Sequence, residues 1–139
     1  VRPLEWTIDD FVFVPQLDSD HQKVFQDAER VRQSLENGTS TAQIRFQVWR
    51  LSKTLATHFA SEERAMRSSH YEAIQWHAQQ HRTGQRKLAQ LMEAAHRRDR
   101  QAVCDALEAF THWLRDHVGL ADRMFAAHMR NDRRERLVS

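Results

Sequence analysis

Residues 58–66 read His58-Phe59-Ala60-Ser61-Glu62-Glu63-Arg64-Ala65-Met66, and residues 77–81 read His77-Ala78-Gln79-Gln80-His81. In each stretch two metal-ligating side chains stand four residues apart, a spacing that places them on one face of a helix. The same face continues outward as an apolar seam. Ile44, Val48, Leu51 and Leu55 lead into His58, Glu62 and Met66, while His77 and His81 lie between Ile74 and Gly84, Leu88, Leu91 and Ala95. Polar groups therefore occupy core positions of two amphipathic helices. A buried carboxylate without a partner costs several kcal/mol or more, and an unpaired imidazole also carries a cost. A metal ion compensates both.

Two further helices follow from the same periodicity. His21, Val24, Phe25, Ala28, Val31 and Leu35 form one face after the N-cap candidates Asp18-Ser19-Asp20, and Gly38 supplies the C-terminal stop. Ser40 with Gln43 has the form of a capping box for the next helix. The break between the second and third helices falls at Ser68-Ser69-His70. The last begins near Asp99 and carries Val103, Leu107, Phe110, Leu114 and His117. No strand alternation competes. The expected fold is all-α, an antiparallel up-down-up-down four-helix bundle. Residues 1–17 lack helical periodicity and are expected to form an extended arm, with Trp6, Ile8, Phe11, Phe13 and Val14 packing across a bundle end.

The turns test the convergence of the polar groups. In an antiparallel hairpin, residues at equal height lie symmetrically about the turn. The midpoint of His21 and His58 falls between Thr39 and Ser40. Those of Glu62/His77 and His58/His81 fall between Ser69 and His70, and that of His81/His117 falls on Asp99. All three turns, placed from cap signals, bring five histidines and Glu62 to one level. His70, His96, His112 and His128 lie off that level or off the seam and read as turn, surface or packing residues. A fourth-helix carboxylate is harder to choose. Asp122 follows His117 by five positions, which at about 100° per residue is roughly 140° off its direction. It reaches the site only if the helix bends or breaks, for which Gly119 offers a place. On geometry alone Glu108 and Asp116 compete with it.

Composition bounds the remainder. The 139 residues suit one domain, 40% hydrophobic and 29% charged. The 3 glycines and 2 prolines leave long helices unobstructed after Pro15. A formal net charge of +2 gives no case for nucleic acid, and no apolar run approaches the roughly 20 residues of a membrane span. No secretory signal is visible, and the single cysteine, Cys104, suits a reducing compartment, so the expected location is cytoplasmic. The chain begins at Val1, as expected of a processed chain or a piece of a longer one. Residues 126–139 read as a basic tail containing Arg130, Arg133, Arg134 and Arg136, either a solvated helix end or a linker to another domain.

The motifs taken together resemble the bacterial hemerythrins. The matching pieces are His21 in DSDHQKVF, HFASEERAM from His58, HYEAIQWHAQQH ending at His81 and WLRDHVGLAD ending at Asp122. They fill the family pattern H…HxxxE…HxxxH…HxxxxD over most of the chain, residues 18–125 carrying the bundle and ligands. The resemblance implies two iron ions with a solvent-derived oxo or hydroxo bridge. His77, His81 and His117 would hold one, His21 and His58 the other, with Glu62 and Asp122 bridging. It selects Asp122 over its rivals. It further implies one open iron position at which O2 binds reversibly as peroxide, in a carrier or in a sensor joined to a signalling domain, rather than an enzyme. Oxidation chemistry, the handling of peroxide or nitric oxide, and iron buffering are the alternatives. Leu114, Leu120, Trp113, Phe59 and Met66 are the expected lining of the O2 pocket.

Overall fold

The computed structural model describes residues 2–138, the side chains of Arg136 and Val138 excepted. Four long helices form the bundle: α1 (Pro15–Glu36), α2 (Thr41–Ser68), α3 (Ile74–His96) and α4 (Arg100–His117). Each packs on its sequence neighbour, and α1 against α4 closes the ring. No strand occurs among the described residues. The expected bundle is the observed one, because each helix has one apolar seam and short loops permit only antiparallel neighbours.

The caps account for the turns. Gly38 adopts φ +68°, the left-handed conformation that glycine accepts without a Cβ clash. Ser40 Oγ accepts the Gln43 N–H at 3.3 Å, and the Asp99 carboxylate accepts the Ala102 N–H at 3.1 Å. The start of α1 departs from expectation. The helix begins at Pro15, whose fixed φ suits a first helical position, rather than at Asp18-Ser19-Asp20. Asp18 instead reaches back beyond the helix start, accepting the Val12 N–H at 2.8 Å and the Phe13 N–H at 3.1 Å.

The N-terminal arm packs along the flank formed by α1 and α4 and not across a bundle end, and it differs from expectation in two further ways. It contains a 3-10 turn at Ile8–Asp10, and Ile8 and Phe13 face solvent, being 71% and 61% exposed. Val14 is buried as expected, and Leu4 and Val12 bury in place of the other two. Side chains from the helices clip the arm down. Leu4 N–H donates to Glu29 at 2.9 Å, Arg115 donates to Asp10 at 3.1 Å, and Arg123 donates to the Asp9 carbonyl at 2.7 Å.

The C-terminal tail is helical. A π-helical turn, Val118–Asp122, joins α4 to α5 (Arg123–Val138). Phe125 and Ala126 are fully buried, and Arg130 donates to the Val12 carbonyl. Ala126, the first residue of the basic segment, thus belongs to the core, and the residues after it continue as helix. No helix among the described residues is long and apolar enough to cross a membrane.

Candidate metal centre

Five histidines and two carboxylates meet near the middle of the bundle. His21 comes from α1, His58 and Glu62 from α2, His77 and His81 from α3, His117 from α4 and Asp122 from the π turn. All seven are buried. Their ligand atoms fall into two groups, each lying within 4.8 Å of one another: Glu62, His77, His81, His117 and Asp122 in one, and His21, His58, Glu62 and Asp122 in the other. Both carboxylates belong to both groups.

Asp122 reaches the site through a device different from the one the spacing suggested. The helix does not stop at Gly119. The backbone widens into the π turn, which closes on i→i+5 and turns each residue through less than 100°. Five residues then sweep roughly 410°, about 50° from the direction of His117 instead of about 140°. Asp122 Oδ1 accordingly lies 3.0 Å from Nε2 of both His77 and His117, and its Oδ2 lies 3.0 Å from His21 Nε2. Asp116 is exposed beside His112, and Glu108 is exposed.

His81 Nε2 and Glu62 Oε1 are hydrogen-bonded at 3.0 Å, but the other close pairs of the cluster are not. His77 Nε2 stands 2.6 Å from Glu62 Oε1, and His58 Nε2 stands 3.1 Å from Glu62 Oε2. Nevertheless Nε2 of His21, His58, His77 and His117, Glu62 Oε2 and both Asp122 oxygens lack hydrogen-bond partners. Buried polar atoms left unpaired cost about 1–3 kcal/mol each, so these seven together approach the whole stability of a domain. Lone pairs aimed at common points in this way fit cations. The donor set, imidazole nitrogen with carboxylate oxygen, suits iron and other first-row metals.

Outside this ring, two carboxylates orient the imidazoles. Glu63 Oε2 is 2.8 Å from His81 Nδ1, and Asp20 Oδ2 is 3.3 Å from His58 Nδ1. Each leaves Nε2 as the inward ligand atom, one in each group. Neither contact is legible in the sequence. Glu63 follows one ligand and Asp20 precedes another, but each serves a histidine on a different helix.

The electrostatics are those of a cluster short of positive charge. Burial alone would lower the pKa of His58, but Asp20 and Glu62 raise it to about 10. Burial likewise opposes protonation of His77, yet Asp122 and Glu62 bring it to about 9. Burial and the neighbouring Asp122 push Glu62 upward, and the three imidazoles around it outweigh both, holding it near 2. Two ionised carboxylates in a buried pocket thus attract whatever cation is available.

A family model described as the Hemerythrin HHE cation binding domain matches residues 12–128. The chain belongs to the hemerythrin family. No curated protein matches it. In this chain the aromatic residues pack directly on the clustered histidines. Phe59 stacks on His81 with ring centroids 3.9 Å apart, and Trp113 stacks on His117 at 4.7 Å. Leu114 and Met66 are buried in the core around them. Leu120 is not part of this lining. It is 58% exposed, because at the pitch of the π turn it points roughly opposite to Asp122 two residues later. The arm supplies a residue in its stead. The Trp6 ring lies 6.5 Å from His21 and 5.1 Å from Phe25. Its aromatic character within an otherwise aperiodic segment was the available signal. The other histidines stay outside: His96 meets Arg45, His112 meets Asp116, His128 meets the Ser69 carbonyl, and His70 is exposed in the turn.

Proposed function

We propose that this hemerythrin is a di-iron module that binds O2 reversibly, one ion resting on His77, His81 and His117, the other on His21 and His58, with Glu62 and Asp122 spanning the pair. The observation that carries this reading is the unequal division of donors around two shared carboxylates, five residues in one group and four in the other. A carboxylate that serves two groups offers one oxygen to each, which favours two ions over one. The group with one donor fewer leaves a coordination position at the His21 and His58 end.

Two iron ions held by these residues would supply the two electrons needed for reversible capture of O2. The chain's own residues do the rest. Glu63 and Asp20 keep His81 and His58 turned with Nε2 inward. Phe59, Trp113, Leu114 and Trp6 surround the ligands with apolar surface that keeps water and its protons away. Five neutral imidazoles donate less negative charge than a carboxylate-rich set, which favours binding over oxidative attack on a substrate. Beside the cluster Glu63 is engaged with His81 and Asp20 with His58, and the Tyr71 ring packs edge-on to His77 with centroids 6.4 Å apart. The other buried carboxylates, Asp10, Asp18 and Asp27, are engaged by Arg115, by the arm backbone, and by Arg30 with Thr54. A binding module, serving O2 storage or sensing, fits this better than an enzyme.

The test is an optical titration of the anaerobically reduced, iron-loaded protein with O2, alongside a metal count. Two irons per chain, with a charge-transfer band that appears on O2 addition and disappears under vacuum, support the proposal. One iron per chain, or a band that decays irreversibly while peroxide or nitric oxide is turned over steadily, overturns it in favour of a mononuclear site or an enzyme.

A further inference from the structure

Helix α2 carries a second apolar stripe that its own bundle does not use. Its inner seam of Ile44, Val48, Leu51 and Leu55 is buried. On the outside, Ala42, Phe46, Trp49, Lys53, Ala56 and Ala60 are all exposed and succeed one another at alternating intervals of four and three residues. That is the heptad spacing with which one helix meets another, and it runs for about 27 Å at 1.5 Å per residue. Phe46 and Trp49 are 57% and 49% exposed and stack with centroids 5.9 Å apart. Lys53 lies along the seam with its Nζ 5.7 Å from the Trp49 ring, so its alkyl stem extends the apolar strip.

The charges beside the stripe have one sign. With Phe46, Lys53 and Ala60 taken as a positions and Ala42, Trp49 and Ala56 as d, the solvent-facing e and g positions are Gln43, Arg45, Arg50, Ser52, Thr57 and Arg64. They include three cations and no acid. The adjoining groove between α1 and α2, about 170 Å³, is bordered by Arg30 and Arg50 as well as Phe46. Asp27 in that groove is already held by Arg30 at 2.8 Å and by Thr54 at 2.6 Å. Glu62 is buried in the metal centre, and Glu63 is engaged with His81.

We infer that this face docks an amphipathic helix of a partner protein, one with an apolar heptad seam flanked by Glu or Asp. Charges at e and g positions set partner choice in helix pairing. A second copy of this chain would set Arg45, Arg50 and Arg64 against the same cations and place Lys53 in the shared core. An acidic helix meets every one of these groups with its complement and covers the Phe46–Trp49 stack.

The test uses the full chain and two labelled three-heptad peptides with Leu at a and d, one carrying Glu at every e and g, the other Lys. Fluorescence anisotropy reads the binding. The Glu peptide is expected to bind at least about tenfold more tightly than the Lys peptide at low salt, with most of that advantage lost at high salt. Phe46→Glu with Trp49→Glu should abolish the binding without loss of helical circular dichroism, because both side chains are already exposed. Arg50→Glu with Arg64→Glu should reverse the preference between peptides. Equal affinity for both peptides, no binding of either, or binding that survives Phe46→Glu with Trp49→Glu overturns the inference. So does a wild-type dimer in sedimentation that those two substitutions dissociate, since the occupant would then be a second copy.

Discussion

Replacing Gly84 by alanine tests how tightly the apolar wall of the metal centre is built. Gly84 is buried in α3, and a Cβ there would run into the six-membered ring of Trp113, within 2.8 Å of its Cζ2. That indole stacks on His117 and stands edge-on to Phe59. Two effects oppose one another in Gly84→Ala. Alanine is better than glycine in a helix interior by about 0.8–1.0 kcal/mol. Overpacking a filled core costs about 1–3 kcal/mol. The net expectation is a loss of up to about 2 kcal/mol, read as a lower urea midpoint at unchanged slope. The decisive measurement is the double-mutant cycle with Trp113→Phe, which removes the ring atoms that collide. In that background only the helix term remains, and Gly84→Ala should stabilise by about 1 kcal/mol. The coupling between the two sites should therefore be about 1–3 kcal/mol. If Gly84→Ala stabilises the wild-type chain by the same amount as it stabilises Trp113→Phe, the indole moves aside freely and the wall is not rigid.

Three further outcomes follow from the same structure. His58→Ala should leave the helical circular dichroism intact while metal content falls from two equivalents towards one, whereas His96→Ala, at an exposed contact with Arg45, should change neither. Glu63→Ala removes the acceptor that orients His81 and should weaken metal binding roughly 10–100-fold in a chelator competition, against little change for an exposed carboxylate such as Glu108. Glu29 gives a pH test. Burial pushes its carboxyl up, but Arg32 and the Leu4 N–H outweigh this and hold it below its ordinary value of 4.5. A folded-state pKa lowered in this way contributes stability that is present above about pH 4.5 and lost as pH falls through the folded value. Glu29→Gln should thus cost on the order of 1 kcal/mol or less near pH 6, and that cost should shrink in more acidic solution. A cost that does not change with pH would show that the Glu29 charge, facing Arg32 and the Leu4 N–H, does not contribute to stability.

The amino-acid sequence alone determined the bundle, its turns and the convergence of six of the seven residues in the buried cluster. Its information there is local. Residues four apart share a helix face, and cap residues such as Gly38, Ser40 and Asp99 locate the turns about which His21, His58, His77, His81 and His117 are symmetric. Asp122 needed a likeness to other proteins, since ideal helical geometry turned it away. Tertiary structure alone decided how it arrives, through a π turn whose extra residue is accommodated because Val118, Ala121 and Phe125 are buried around it while Gly119 and Leu120 stay outside. The same turn carried Leu120 out of the pocket and let α5 continue into the basic segment that composition left as a solvated helix end or a linker. The pairing of Asp20 with His58 and of Glu63 with His81 also belongs to the folded chain. A hydrogen bond between helices depends on their relative rotation and height to within an ångström, a quantity that side-chain periodicity along one helix does not contain.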